Sequence, residues 1–339
     1  MRRLLLTSIS LLGLLIGCSS QPSDDYAEYQ KRLANVVDVT YNTISYSGLV
    51  KLTPPSLPKE PTISLIELAS INHCEVSRFI AEHNNQLGKV AVPSEQLKYA
   101  IRFIQLMPKC IESLDDKNAQ LKSTLANALI AKKQAASMLF QLMLSREREM
   151  QSLLIATSKE IPVLGIEGKE AAIESLTRLV SINAKIDAQD FDAITPQDIT
   201  LALKNLNQNS YVSALISSTV KQTNFNEQTT VSLNTIDLQN TLCKKGRAKN
   251  KAEILSNVFQ TFYIAPIQPY QSQLVGSLEQ ISPLLYKLYA KTPSLAIKFD
   301  ATNEASLLAK LKDSAKEHVK WWQGFYKSCE INPFNSKAR

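Results

Sequence analysis

The chain has 339 residues, 38 Lys+Arg against 31 Asp+Glu, a formal net charge of +7, and only nine glycines. So few glycines exclude a glycine-rich phosphate loop and disfavour a large β-barrel or an α/β nucleotide-binding fold, both of which need glycine in tight turns. Long runs rich in Leu, Ala, Lys, Gln and Glu instead predict an all-α protein, with length for one large domain or two of ordinary size.

The first predicted element is a targeting segment. Arg2 and Arg3 precede an apolar stretch from Leu4 to Ile16, which closes on Leu15-Ile16-Gly17-Cys18. That is the pattern of a bacterial lipoprotein signal peptide, residues 1–17, and it is too short for a permanent membrane span. The expected mature chain begins at Cys18 with lipid on its sulfur and amine, and several acyl chains together make a lasting anchor. Loss of Arg2 and Arg3 lowers the formal charge by two, leaving a mildly basic chain that suits anionic envelope phosphates and sugar acids but demands neither. Ser19 and Ser20 follow the cysteine where an aspartate marks inner-membrane retention. Resemblance to that class of precursors therefore implies the periplasmic face of the outer membrane.

Residues 18–62 are expected to hold the anchor, a short helix and a proline-rich strap. Tyr26, Tyr29, Leu33, Val36 and Val37 recur at helical spacing from Asp24 to about Val39. Pro54, Pro55, Pro58 and Pro61 then exclude regular helix, while Leu49, Val50, Leu52 and Leu57 suggest that the strap is docked. An N-terminal helical half, 63–160, follows. It comprises an amphipathic helix from Ser64 to Gln86, a turn at Gly88 and Pro93, and a helix from Ser94 to Leu114 that Pro108 is expected to kink or end. One long helix is predicted from about Asp116 to Ile155, a stretch without proline or glycine.

Ile161-Pro162-Val163-Leu164-Gly165-Ile166-Glu167-Gly168 breaks the pattern and reads as a hinge. The C-terminal half, 161–339, forms one continuous domain with the first in this reading. Helices are expected near Lys169 to Asp187, Thr195 to Leu206 and Tyr211 to Val220, the last leaving open a hairpin with Thr229 to Ile236. Further helices are predicted from about Ala248 to Tyr263, Ile267 to Ala290 and Asn303 to Ser328.

Cys74, Cys110, Cys243 and Cys329 remain besides Cys18. In an oxidising compartment four cysteines permit three pairings, and Cys74–Cys110 with Cys243–Cys329 keeps each bond within its own half. The wide spacing disfavours a metal site. His73 and His83 lie ten residues apart and so on different helix faces, which leaves these and His318 as surface or capping histidines. No other cofactor than the covalent lipid on Cys18 is expected.

Three clusters invite a functional reading. His83, Asn84 and Asn85 crowd polar groups before a turn, as a solvated cap or a binding edge, and are expected to lie beside the Gln268-Pro269-Tyr270 turn. Lys244, Lys245, Arg247, Lys249 and Lys251 form either a solvated basic face or a site for lipid phosphates and anionic glycans. Trp321-Trp322 reads as core packing, with a partner or lipid contact as the alternative. No hydrolase or nucleotide-binding motif is present, no catalytic residue is assigned, and an envelope address excludes nucleic acid as a partner.

The chain also resembles a family of secreted bacterial lipoproteins, domain of unknown function 3080. The residues that carry the resemblance are Cys74-Glu75, His83-Asn84-Asn85-Gln86-Leu87-Gly88-Lys89-Val90, Ser94, Tyr99 and Cys110-Ile111. It continues through Asn257-Val258-Phe259, Tyr263, Ile267-Gln268-Pro269-Tyr270, His318-Val319, Trp322, Cys329 and Pro333. The resemblance implies a fold and an envelope address and transfers no mechanism. The resulting expectation is a disulfide-stapled helical lipoprotein that binds or scaffolds an envelope protein, glycan or lipid. An envelope hydrolase acting on cell-wall or lipid substrates and a carrier of an apolar ligand are the alternatives.

Overall fold

Pro22 at the first helical position and Asp24 in a reciprocal cap with Gln21 start α1 (Pro22–Val36) at the edge of the described chain. The computed structural model describes residues 21–41, 52–59, 61–84, 92–243 and 250–332, which form helices and connecting segments with no strand among them. After α1 come α2 (Leu65–Ser70), α3 (Glu75–His83), α4 (Pro93–Glu112), α5 (Ala119–Arg146) and α6 (Arg148–Leu154). Next are α7 (Lys169–Asp187), α8 (Pro196–Asn207), α9 (Tyr211–Leu233) and α10 (Leu238–Thr241). The last are α11 (Asn250–Phe259), α12 (Ile267–Tyr289), α13 (Pro293–Phe299) and α14 (Leu307–Cys329). A five-residue π-helical turn, Gln260–Ile264, extends α11.

Several predicted boundaries shift, each for a tertiary reason. The Ser64–Gln86 helix is broken at 71–74, where Ile71 plugs the core and Ser77 Oγ donates at 3.0 Å to the Leu68 carbonyl, which also accepts from Ile71 N at 3.3 Å. The long helix ends at Arg146 because Glu147 leaves it in an extended conformation. Its buried carboxylate accepts from Ser94 Oγ at 2.7 Å and Ser94 N at 3.3 Å, at the N-terminus of α4. Pro108 does not end α4, which continues to Glu112. The hairpin alternative gives way to α9, which runs unbroken to Leu233, and α13 is an element that periodicity did not reveal.

Three apolar clusters hold these helices. One draws on α4 to α9 and α12 to α14, from Leu97 to Leu311, with Leu52 of the strap packed against it. A second gathers Tyr26, Tyr29 and Leu33 of α1 against Phe259, Tyr263, Trp322 and Phe325. The third joins Ile71, Val76 and Ile80 to Phe103, Met107 and Leu125. Leu49 and Val50 lie outside the described residues, as do Cys18, Asn85 and the basic cluster apart from Lys251.

Cys74 is bonded to Cys110 in the third cluster, with a Cα–Cα distance of 5.5 Å, and Cys243 to Cys329 in the second, at 4.9 Å. The break at 71–74 supplies the asymmetry that lets Cys74 reach Cys110. Peptide mapping without reduction should recover both links. Separations of 36 and 86 residues imply that losing either one costs about 4 kcal/mol, the C-terminal bond slightly more. Free thiols at these four positions in the untreated protein would contradict this result.

Candidate functional site

Burying polar backbone requires partners, and α9 is built to supply them. Ser217 and Ser218 are buried on this helix, and their hydroxyls accept from Thr157 N and Ile161 N at 2.9 Å each. This laces the extended segment after α6 along α9. Between those two anchor points Glu160 turns inward. Its side chain is 1% exposed and Oε1 accepts from Lys221 Nζ of α9 at 2.5 Å, where Lys221 is itself only 12% exposed. Oε2 accepts from Ser23 N at 2.9 Å. One carboxylate therefore clamps the first turn of α1, the 157–161 segment and α9 together.

A cleft of about 1220 Å³ opens beside this clamp, where the start of α1, the 159–168 loop and the α8–α9 junction meet. It is open and larger than the roughly 300–1,000 Å³ of an ordinary small-molecule pocket. Gln21, Asp25, Glu160, Ile166, Asn209 and Tyr211 are among its walls. Partial burial, and then the Asp24 charge beside it, raise the pKa of Asp25 from its ordinary value. Burial likewise raises the Tyr211 phenol, against a hydrogen bond of 2.8 Å to Ser277 Oγ.

The loop that rims the cleft is fixed from below. Gln273 of α12 accepts from Leu164 N at 2.8 Å and donates to the carbonyls of Pro162 at 3.0 Å and Gly165 at 3.2 Å. Asn209 Nδ2 donates to the Gly168 carbonyl, and Asn209 Oδ1 accepts from Tyr211 N at 2.8 Å. Gly168 has φ +80°, and a Cβ there would lie 2.6 Å from Asn209 Oδ1, so both conformation and space require glycine. The expected hinge is thus a pinned loop.

The conserved profile of the proteins of unknown function designated DUF3080 matches residues 26–333. The chain belongs to the DUF3080 family. No curated protein and no solved structure gives a significant match.

In this DUF3080 protein the predicted site residues are divided among different neighbourhoods. His83 and Asn84 end α3 and border a smaller cavity of about 270 Å³ with Tyr99, Phe103 and Lys132. The His83 ring stacks on Tyr99, centroids 3.6 Å apart, and burial followed by the Lys132 charge lowers its pKa. Gln268, Pro269 and Tyr270 are not a turn but the first helical turn of α12, and Tyr270 is buried in the first cluster. The proposed pairing of these two segments is therefore corrected: α3 packs on α4, whereas α12 packs on α7, α9, α13 and α14. Pro269 is tolerated because the first turn of a helix needs no amide donor there.

His318 is also corrected, from surface to core. Thr230 Oγ1 donates to Asn226 O at 2.7 Å and so accepts from His318 Nδ1–H at 3.0 Å. His318 Nε2 then accepts from the Tyr29 hydroxyl at 2.9 Å, whose oxygen accepts from Trp322 Nε1 at 3.1 Å. Trp322 is core, as expected, while Trp321 packs partly buried at its edge. Among the described residues no group of three or more His, Cys, Asp or Glu side chains is arranged to hold a metal ion.

Sequence reading found the 161–168 break and missed the clamp beneath it. Glu160 and Lys221 stand 61 positions apart, and Gln273 lies on a third element. The available signal was Gly165 and Gly168, two glycines close together in a chain with so few.

Proposed function

We propose that this protein is a lipid-anchored scaffold of the bacterial envelope, held by Cys18 at the periplasmic face of the outer membrane, which binds an envelope partner in the cleft beside its anchor. The signal-like segment ending at Cys18 supports the address, and no helix among the described residues is long and apolar enough to cross a membrane. The observation that carries the reading is the position of the cleft. Gln21 and Pro22 line it, so the binding surface begins three residues after the proposed lipid. Glu160, the buried acid there, has both oxygens engaged by Lys221 and Ser23, which suits a fixed wall better than proton transfer.

The reading is tested in cells with a photoreactive amino acid at Gln208, in the cleft wall, or at Val231, an exposed residue on α9 outside the cleft. The expected result is a discrete crosslinked species from Gln208 alone, lost when Cys18→Ser releases the protein from the outer-membrane fraction. Equal capture from both positions would sink the cleft as the binding surface. Retention of Cys18→Ser in the outer membrane would sink the anchor.

A further inference from the structure

Val163, Leu164 and Ile166 are 54%, 84% and 68% exposed, three large apolar side chains within four positions. Water gives no reason to display them, and such concentrated apolar exposure marks an interaction surface. Their presentation is imposed by the fold. Leu164 adopts φ +59°, a left-handed conformation that disfavours a residue with a Cβ. Gln273 nevertheless holds it there through the Leu164 amide and two flanking carbonyls. A loop fixed in this way projects its side chains without waiting for a partner to order it.

The place of this loop identifies what covers it. Val163 and Ile166 line the same cleft as Gln21 and Pro22. Three residue steps separate Gln21 from Cys18, a reach of at most about 11 Å. Just after Gln21, α1 is locked into the body, its Ser23 amide bound to Glu160 and its Tyr26 hydroxyl bound to Asn226 at 2.7 Å. A lipid at Cys18 therefore brings this end of the molecule, and no other, against the bilayer.

We infer that the 163–166 loop is a second membrane contact, which inserts Val163, Leu164 and Ile166 into the headgroup boundary of the leaflet that holds the Cys18 lipid. This inference rests on the lipid-anchor reading above. Apolar groups at such an interface enter about 5–10 Å below the headgroup surface, so the loop fixes the rotation of the protein about its anchor as well as its height. The cleft is then directed along the membrane surface, toward a partner that is itself at or in the bilayer.

The experiment uses the full lipidated chain reconstituted into vesicles of phosphatidylethanolamine and phosphatidylglycerol. An environment-sensitive fluorophore is attached through Leu164→Cys, or in a second preparation through Ile166→Cys, the native thiols at 74, 110, 243 and 329 being disulfide-bonded. Val231→Cys is the control, exposed and about 30 Å along α9 from Tyr211 of the cleft. Lipid carrying a quencher just below the headgroup should quench the label at 164 and 166 several-fold more than at 231. Protein that floats with the vesicles but is not quenched at 164 or 166, or is quenched equally at 231, overturns the loop contact and leaves the anchor standing. Protein that does not float overturns both.

Discussion

Lys221→Met is expected to destabilise the protein by about 3–5 kcal/mol, the range for removing one partner of a buried ion pair. Without the ammonium, the Glu160 carboxylate keeps only the Ser23 amide as a direct partner on the second oxygen, in a site where its side chain is 1% exposed. The effect reaches beyond the pair, because the same carboxylate holds the first turn of α1 and the base of the cleft loop. Denaturant unfolding should show a lower midpoint with little change in slope. The double variant Glu160→Gln with Lys221→Met removes both charges and should recover most of the loss. A single variant within about 1 kcal/mol of wild type would mean that the carboxylate finds other compensation, and that the clamp is weaker than its geometry implies.

His318 should make stability fall on mild acidification. Complete burial holds its imidazole far below the usual range, at a pKa of about 3. The unfolded chain protonates this ring near pH 6.5 and the folded chain does not. Its contribution is fully present above about pH 6.5 and is lost as pH falls toward the folded value. The slope approaches about 1.4 kcal/mol per pH unit, or roughly 2–3 kcal/mol by pH 4.5. Tyr29 and Tyr263 beside it do not enter this range, since burial raises both phenols. His318→Gln should lose stability at pH 7.5, where the bonds to Tyr29 and Thr230 are disturbed, yet the gap to wild type should close as pH drops to 4.5. Parallel pH profiles for the two proteins would refute the assignment.

Much of the helical framework was legible because it follows from local chemistry. Lys169 to Asp187 was found to the residue, helped by Gly168 before it. The cysteine pairing followed from keeping each link within one half of the chain. What escaped depended on contacts between distant positions. Nothing local to Glu147 announces that Ser94 will draw it out of a helix. The polar residues Gln222, Asn226 and Thr229 of α9 are buried because Gln271, Tyr26, Tyr263 and Gln30 meet them there. Periodicity reads such a stripe as solvent-facing. The burial of His318 escapes a local reading for the same reason, its partners Tyr29 and Thr230 lying 289 and 88 positions away.

The seam that α1 makes with the body also sets the order in which the molecule can be completed. Tyr29 meets His318 and Trp322 across 289 and 293 positions, and Tyr26 meets Asn226 across 200. Helix α1 therefore has its final neighbours supplied by α14, the last of the described helices, and its aromatic face stays incomplete until that part of the chain is made. Contacts so distant in sequence close slowly, and until they do Tyr26, Tyr29 and Leu33 are surfaces on which the nascent protein can self-associate. The finished fold gains the complementary property: α1 and α14, the first and last of the described helices, meet in one aromatic cluster, so neither can detach without exposing the other.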